Sequence, residues 1–270
     1  SSGSSAVAAM VGLGLGMVLY MFLMIYGAMV MQSVIEEKSS RVLEVVVSSV
    51  RPFELMMGKI FGVASVAVVQ VLIWAVLVCG AGAAVMPHVL PDGAMEAAAA
   101  LQQGGGAATA AAGDFDPETL GAIALATDVG YLAMLFGYLL LFVVGGYLLY
   151  SAMFAAVGSA VDNAQDAAQL QTPIMIPIIL AVIVEMSVLN DPNSPLAFWF
   201  SLIPFTSPVV MMARIPYGIP TWEIVLSLVL LYAAFVGMVW LSAKIYRVGI
   251  FMYGKKPTLR EMFRWIRYKY

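Results

Sequence analysis

From Ala6 to Val34 the chain carries no charged side chain; the first is Glu36. A membrane-crossing helix takes about 20 mostly apolar residues, and this run exceeds that. Four more stretches meet the same test or nearly meet it: 60–85, 129–157, the shorter 173–189, which carries Glu185, and 222–246. The prediction is an all-α integral membrane fold with five transmembrane helices, forming a single domain over 1–270. Composition agrees: 62% of the residues are hydrophobic and 11% are charged, against about 45–50% and 25% in soluble domains. The formal net charge of −3 says less than the placement of the charges.

Lys and Arg favour cytoplasmic flanks. Lys38, Arg41, Arg51 and Lys59 fall in or beside the first connector, 35–59. Lys244, Arg247, Lys255, Lys256, Arg260, Arg264, Arg267 and Lys269 cluster at the end of the fifth run and in the tail, 247–270. Arg214 stands alone elsewhere. Five spans put both basic segments on one side, predicted to be cytoplasmic, with the N-terminus external. The connector 86–128 is then external. It is rich in Ala and Gly, includes Gly104–Gly106, and has acids but no Lys or Arg. Within it Asp116-Pro117-Glu118 reads as a helix start, with Asp as cap and Pro at the first helical position. The turn 158–172 returns to the cytoplasm by alternation, although it holds acids and no bases.

The apolar segment 196–214 is broken by Pro204 and Pro208, and proline removes a backbone donor from a helix interior. It reads as a re-entrant hairpin at the outer face. The alternative, an ordinary sixth span, would separate the two basic segments. In the tail, Thr258 and Glu261 form a capping box. They open a basic amphipathic helix with Leu259, Met262, Phe263 and Ile266 on one face, suited to the inner leaflet or to a partner.

Several chemistries find no support. Lys59 and Lys255 follow glycines but lack the rest of a nucleotide-binding loop. One histidine, His88, and one cysteine, Cys79, offer no metal-ligand cluster and no disulfide. No catalytic residue, bound cofactor or nucleic-acid partner is expected; if ATP and Mg are used, another chain holds them. Two GxxxG pairs, Gly12 with Gly16 and Gly58 with Gly62, let helices approach closely, and either suits a seam between subunits. Glu185 is the one acid well inside a span. It lines a pathway, or it pairs with Arg214 or sits near the outer interface. Pro173 and Pro177 are expected to bend its helix.

The connector itself, Gln32–Lys59, is the most charged interruption in the first half of the chain. Glu37 and Arg41 have the favourable i,i+4 order. If 41–50 is helical, Leu43, Val46, Val47 and Val50 share a face; the valines also permit a strand. Two flanking spans leave little room for a sheet, so a helix is predicted, broken at Ser48–Ser49 and restarted at Pro52. A short helix across the ends of two spans is a lever.

The stretch EEKSSRVLEVVVSSVRPFELMMGKIFGV, 36–63, resembles the first cytoplasmic loop of type-2 ABC exporter permeases, above all the NatB-like, sodium-efflux branch. Ala164–Pro177, Ile203–Arg214 and Tyr253–Tyr268 are similar to later parts of the same family, in the same order. The resemblance implies a permease subunit of an ATP-driven exporter in a bacterial or archaeal plasma membrane. Its partners would be two ATP-binding cassette subunits, which carry the ATP and Mg, and a second permease, identical or homologous. It also implies a coupling surface made of Glu37, Lys38, Arg41, Glu44, Arg51, Pro52 and Glu54. Asp162, Gln165 and Asp166 would form a second inner contact. Glu185, Pro204, Pro208 and Arg214 would mark the pathway. Family members usually carry a cytoplasmic tail, a further membrane helix and a large external domain ahead of the first span seen here. With Ser1–Ser5 at its start, the chain reads as a fragment or processed form. An ion-gradient-driven transporter or channel, with Glu185 as its functional acid, is the alternative.

Overall fold

The computed structural model describes residues 2–91, 93–102 and 116–268, and the regular secondary structure among them is all helical. Five helices are long and apolar enough to cross a membrane: α1 (Ser2–Ser39), α3 (Pro52–Val89), α6 (Val129–Ala160), α7 (Ala164–Val188) and α10 (Thr221–Gly249). Between them lie α2 (Val42–Val46), α4 (Ala94–Gln102), α5 (Pro117–Thr127), α8 (Pro195–Leu202) and α9 (Ser207–Arg214), the last followed by a 3-10 turn, Ile215–Tyr217. A short helix, α11 (Leu259–Trp265), closes the described chain.

The spans outrun their apolar cores because polar residues cap them. Asp128 accepts from Tyr131 N at 3.1 Å to open α6, and Asn163 accepts from Asp166 N at 2.9 Å to open α7. Each satisfies a backbone donor that a helix start leaves orphaned. Asp116 opens α5 as its sequence predicts, accepting from Thr119 N at 3.4 Å. α3 begins at Pro52, where Arg51 N donates to Glu54 Oε2 at 3.4 Å. α1 ends at Ser39; beyond it the Ser40 hydroxyl turns back on Glu36 O at 2.8 Å, and Arg41 takes a left-handed φ of 57°. The Gly104–Gly106 triplet lies outside the described residues.

α6 is the hub. From Gly145 to Ala160 only Met153 is not buried, and the helix packs against α1, α3, α7, α9 and α10. Lipid offers no hydrophobic force between helices, so close contact has to come from small residues. Gly145 faces Leu231 and Tyr232 of α10, and Gly146 faces Pro208 and Leu23. Gly158 lies so near α1 that a Cβ would stand 2.8 Å from Met31 O. In return Gly27 of α1 takes the ring of Phe154.

The segment 196–214 divides at Ile203–Thr206 into α8 and α9, eight residues each. At 1.5 Å per residue each is about 12 Å long, far short of a bilayer core of about 30 Å. The break is fixed by Thr206 Oγ1, which donates to Phe200 O at 2.6 Å, and by Tyr150 OH, which donates to Phe205 O at 2.5 Å. α4 and α5 pack on each other at the same end of the bundle, through Ala94, Ala98, Ile123 and Ala124.

Candidate functional site

The C-terminal ends of α1, α6 and α10 converge at the opposite end, the basic end, around one ammonium group. Lys38 is 0% exposed. Its Nζ donates to Ser159 O at 2.8 Å and to Gly249 O at 3.0 Å, and stands 3.1 Å from Asp162 Oδ1. Ser159 and Gly249 belong to the last turns of α6 and α10, where carbonyls lack intrahelical donors. Those ends also carry the negative poles of the helix dipoles, so a buried cation is favoured there. Gly249 makes the junction possible: a Cβ would sit 2.8 Å from Ser159 O. The Tyr253 ring adds a cation–π contact 5.4 Å from Lys38 Nζ. Read as a partner-facing residue, Lys38 is instead turned inward, because two helix ends and a carboxylate hold all that it can donate.

α2 is shorter than expected, Val42–Val46 rather than 41–50. The chain turns out of the helix after Val46, where Ser48 Oγ donates to Val45 O at 2.6 Å, and Arg41 in the left-handed region sets the start of α2 and ends the helical register begun in α1. The predicted Glu37–Arg41 pair therefore does not form. Glu37 pairs with Lys59 of α3, whose Nζ also reaches Ser33 Oγ at 2.8 Å. Only Leu43 of the predicted apolar face is buried; Val46 and Val47 are half-buried and Val50 is exposed. Arg41, Val42, Glu44 and Val45 are all exposed, Val45 by 73%. Arg51 and Glu54 are exposed beside them and Pro52 is half-buried; with Phe53 and Arg247 these three line a cavity of about 340 Å³.

The second loop binds the tail. Asp162 Oδ2 accepts from Gly254 N at 2.6 Å, and Asp166 pairs with Lys256 at 2.9 Å. Gln165 is exposed. Burial first, and then the charge of Glu44, push the Tyr253 phenol above its usual range, so the tail lies in the field of α2. α11 has its predicted capping box, with Glu261 N donating to Thr258 Oγ1 at 3.4 Å and Thr258 N to Glu261 Oε2 at 3.0 Å. Its buried face is Met262 and Trp265, with Ile266 half-buried, while Leu259 and Phe263 are exposed.

At the far end, Arg214 is 1% exposed. It pairs with Glu223 at 2.9 Å and donates to Ser201 Oγ at 2.6 Å and Pro192 O at 2.8 Å. It thus joins α8, α9 and α10 and is not the partner of Glu185. Pro208 packs on Gly146, while Pro204 stands in the α8–α9 break, half-buried. Gly12 and Gly16 are used inside the chain, against Ala213 O and the Glu185 carboxyl. Gly58 and Gly62 have nothing within 4 Å. Among the described residues no group of His, Cys, Asp and Glu has the makings of a metal site.

These features define a class: an all-helical bundle of membrane-crossing length whose charged connectors gather at one end. The chain belongs to the ABC-2 family transporter proteins, whose family model matches residues 2–244. It is similar to "Uncharacterized protein YhaP" of Bacillus subtilis, with 27% identity over 246 residues, covering 91% of this chain and 52% of that protein. It is similar also to "Uncharacterized protein MJ1024" of Methanocaldococcus jannaschii, with 27% identity over 254 residues, 93% of this chain and 52% of that protein. The chain spans about half the length of the curated relatives it matches. No solved structure matches it.

Proposed function

We propose that the chain is the membrane-spanning permease part of an ATP-driven exporter, and that α2 receives the push of a separate ATP-binding subunit. The observation that carries this is the contrast within the basic end. Lys38, directly before α2, is buried and fully held, while α2 itself presents Arg41, Val42, Glu44 and Val45 outward. A lever needs a free face for its partner and a firm attachment to what it moves. Force on α2 passes through Lys38 to the ends of α6 and α10, and through Arg51 and Pro52 into α3. By the positive-inside rule this end is cytoplasmic and the N-terminus outside, in the bacterial or archaeal plasma membrane that the resemblance implies. The α8–α9 hairpin is then re-entrant from the outer face, with α9 wholly buried and α8 buried on one face, through Ala197, Ser201 and Leu202.

In the assembly proposed, two ATP-binding cassette subunits hold ATP and Mg, and a second permease completes the pathway. Glu185, Pro204, Pro208 and Arg214 mark this chain's share of that pathway. Sodium is the cargo that the NatB-like resemblance implies. The two arrangements, open inward and open outward, are each favoured by a different nucleotide state of the partner.

The test is charge reversal on the exposed face. Glu44→Arg and Arg51→Glu should each lower partner-stimulated ATPase activity roughly tenfold, the effect of about 1.4 kcal/mol, with membrane insertion intact. Normal coupled transport by both variants would sink the proposal. An ion-gradient-driven transporter or channel draws instead on the buried acid Glu185; it predicts transport in liposomes with no ATPase present.

A further inference from the structure

Glu185 lies one turn from the end of α7, wholly buried, and neither of its carboxyl oxygens has a hydrogen-bond partner. The carboxyl occupies the notch that Gly16 leaves on α1; a Cβ there would overlap Oε1. One turn away on α1, Gly12 leaves a similar notch for Ala213 O of α9. The seam therefore meets two oxygen acceptors and supplies no donor to the carboxyl.

The charged and titratable groups on the elements packed against α7 are engaged elsewhere or make no bond to it. On α9, Arg214 is committed to Glu223, Ser201 and Pro192. On α1, Tyr26 donates to Gln70, and Glu36, Glu37 and Lys38 lie at the basic end. On α6, Tyr147 donates to Ile60 O at 2.7 Å and Tyr150 to Phe205 O. Tyr20 on α1 and Tyr131 and Tyr138 on α6 make no bond to Glu185, and α8 has no titratable side chain. Beyond α9, the Tyr217 hydroxyl is likewise buried without a partner.

A carboxylate with neither donor nor cation in such a place is expensive; a neutral acid is far less so. We propose that Glu185 is a proton-binding site within the membrane, loaded while α7 is seated on Gly16 and emptied when α7 swings away and water reaches the carboxyl. The second observation is mechanical. Pro173 and Pro177 lie inside α7, between Glu185 and the turn that Lys38 and Lys256 hold through Asp162 and Asp166. Each proline removes a backbone hydrogen bond. The half that carries Glu185 can therefore tilt while the other half stays clamped. A site that binds a proton in one arrangement and releases it in the other makes the equilibrium between them depend on pH. The seated form holds the extra proton, so acid favours it.

The loaded state does not depend on the exporter reading; the swing rests on it. The first measurement is the infrared spectrum of the full-length protein in lipid nanodiscs at neutral pH, wild type minus Glu185→Gln. The expected result is a carbonyl-stretch band of a protonated carboxylic acid, lost in the variant and shifted in deuterated water. Carboxylate bands in its place would overturn the site. Should the variant fail to insert, wild-type protein carrying isotope-labelled glutamate gives the same reading from the shifted band. The second measurement is the distance between spin labels at the outer end of α7 and on α1, followed against pH. It should lengthen as pH rises in the wild type and stay fixed in Glu185→Gln; a pH-independent wild type would overturn the swing. An absent acid band leaves the α2 proposal standing, and normal coupled transport in the α2 variants leaves the acid band standing, so the two failures are distinguishable.

Discussion

Lys38 and Glu185 are both wholly buried in one bundle, and they are opposites. Lys38 has a carboxylate and two helix-end carbonyls around its ammonium. Glu185 has none of the donors a carboxylate needs. They stand far apart, since Gly16 and Lys38 are separated by about 33 Å along α1 at 1.5 Å per residue. The difference teaches that burial alone does not decide what a charged residue is for. A charge whose partners are fixed backbone groups is a pin. A titratable group with no partner is a variable, because its cheapest state changes when its surroundings do.

The largest expected effect lies at the pin. Lys38→Met leaves Asp162 and two carbonyls without their cation and should cost about 3–5 kcal/mol, read as a lowered unfolding midpoint in detergent. Adding Asp162→Leu should recover part of that loss, because the uncompensated acid goes too. An unshifted midpoint in the single variant would break the comparison. Next come the glycines that seat each charge. Gly249→Ala drives a methyl into the Ser159 backbone and should cost about 1–3 kcal/mol. Gly16→Ala meets only the movable end of Glu185 and should cost less than Gly249→Ala in the same unfolding assay. The reverse order would mean that the Glu185 carboxyl is held as firmly as Lys38.

Smaller still is Glu185→Gln. An amide of the same shape replaces a neutral acid, so unfolding should change by no more than about 1 kcal/mol; a larger loss would reveal a partner for the carboxylate. Smallest is Gly62→Leu, which points into open space on α3 and should leave the isolated chain within about 0.5 kcal/mol. A loss of higher-order species on native gels, at unchanged unfolding, would show that this face meets another subunit.

Hydropathy alone carried the five helices, because length and apolarity are local properties. It did not reach their ends, since capping belongs to polar residues outside the apolar runs: α1 continues to Ser39, and the start of α3 at Pro52 was legible from the proline, not from hydropathy. Proline correctly marked the break in 196–214. The role of Lys38 was illegible for a definite reason. Its partners Ser159 and Gly249 lie 121 and 211 residues away, and they bond through their backbones, which no side-chain pattern announces. Arg214 was legible as unusual but not as the partner of Glu223, because the two meet only once α9 folds against the start of α10. The GxxxG spacing on α1 announced close packing without naming the neighbour, which proved to be α9 and Glu185 of the same chain. Valine density left α2 ambiguous, and one left-handed residue, Arg41, set where it begins.

The junction at Lys38 also constrains how the bundle opens. Three long helices meet there like the legs of a tripod, their heads tied by one ammonium group and their feet held by separable contacts such as the Arg214–Glu223 pair. Such a frame can spread only at the feet. α10 has 29 residues, or about 44 Å at 1.5 Å per residue, so a tilt of about 10° at the tied end moves the other by roughly 8 Å. A displacement too small to break a hydrogen bond near α2 thus becomes, at the far mouth, a gap wide enough for a hydrated ion or a side chain.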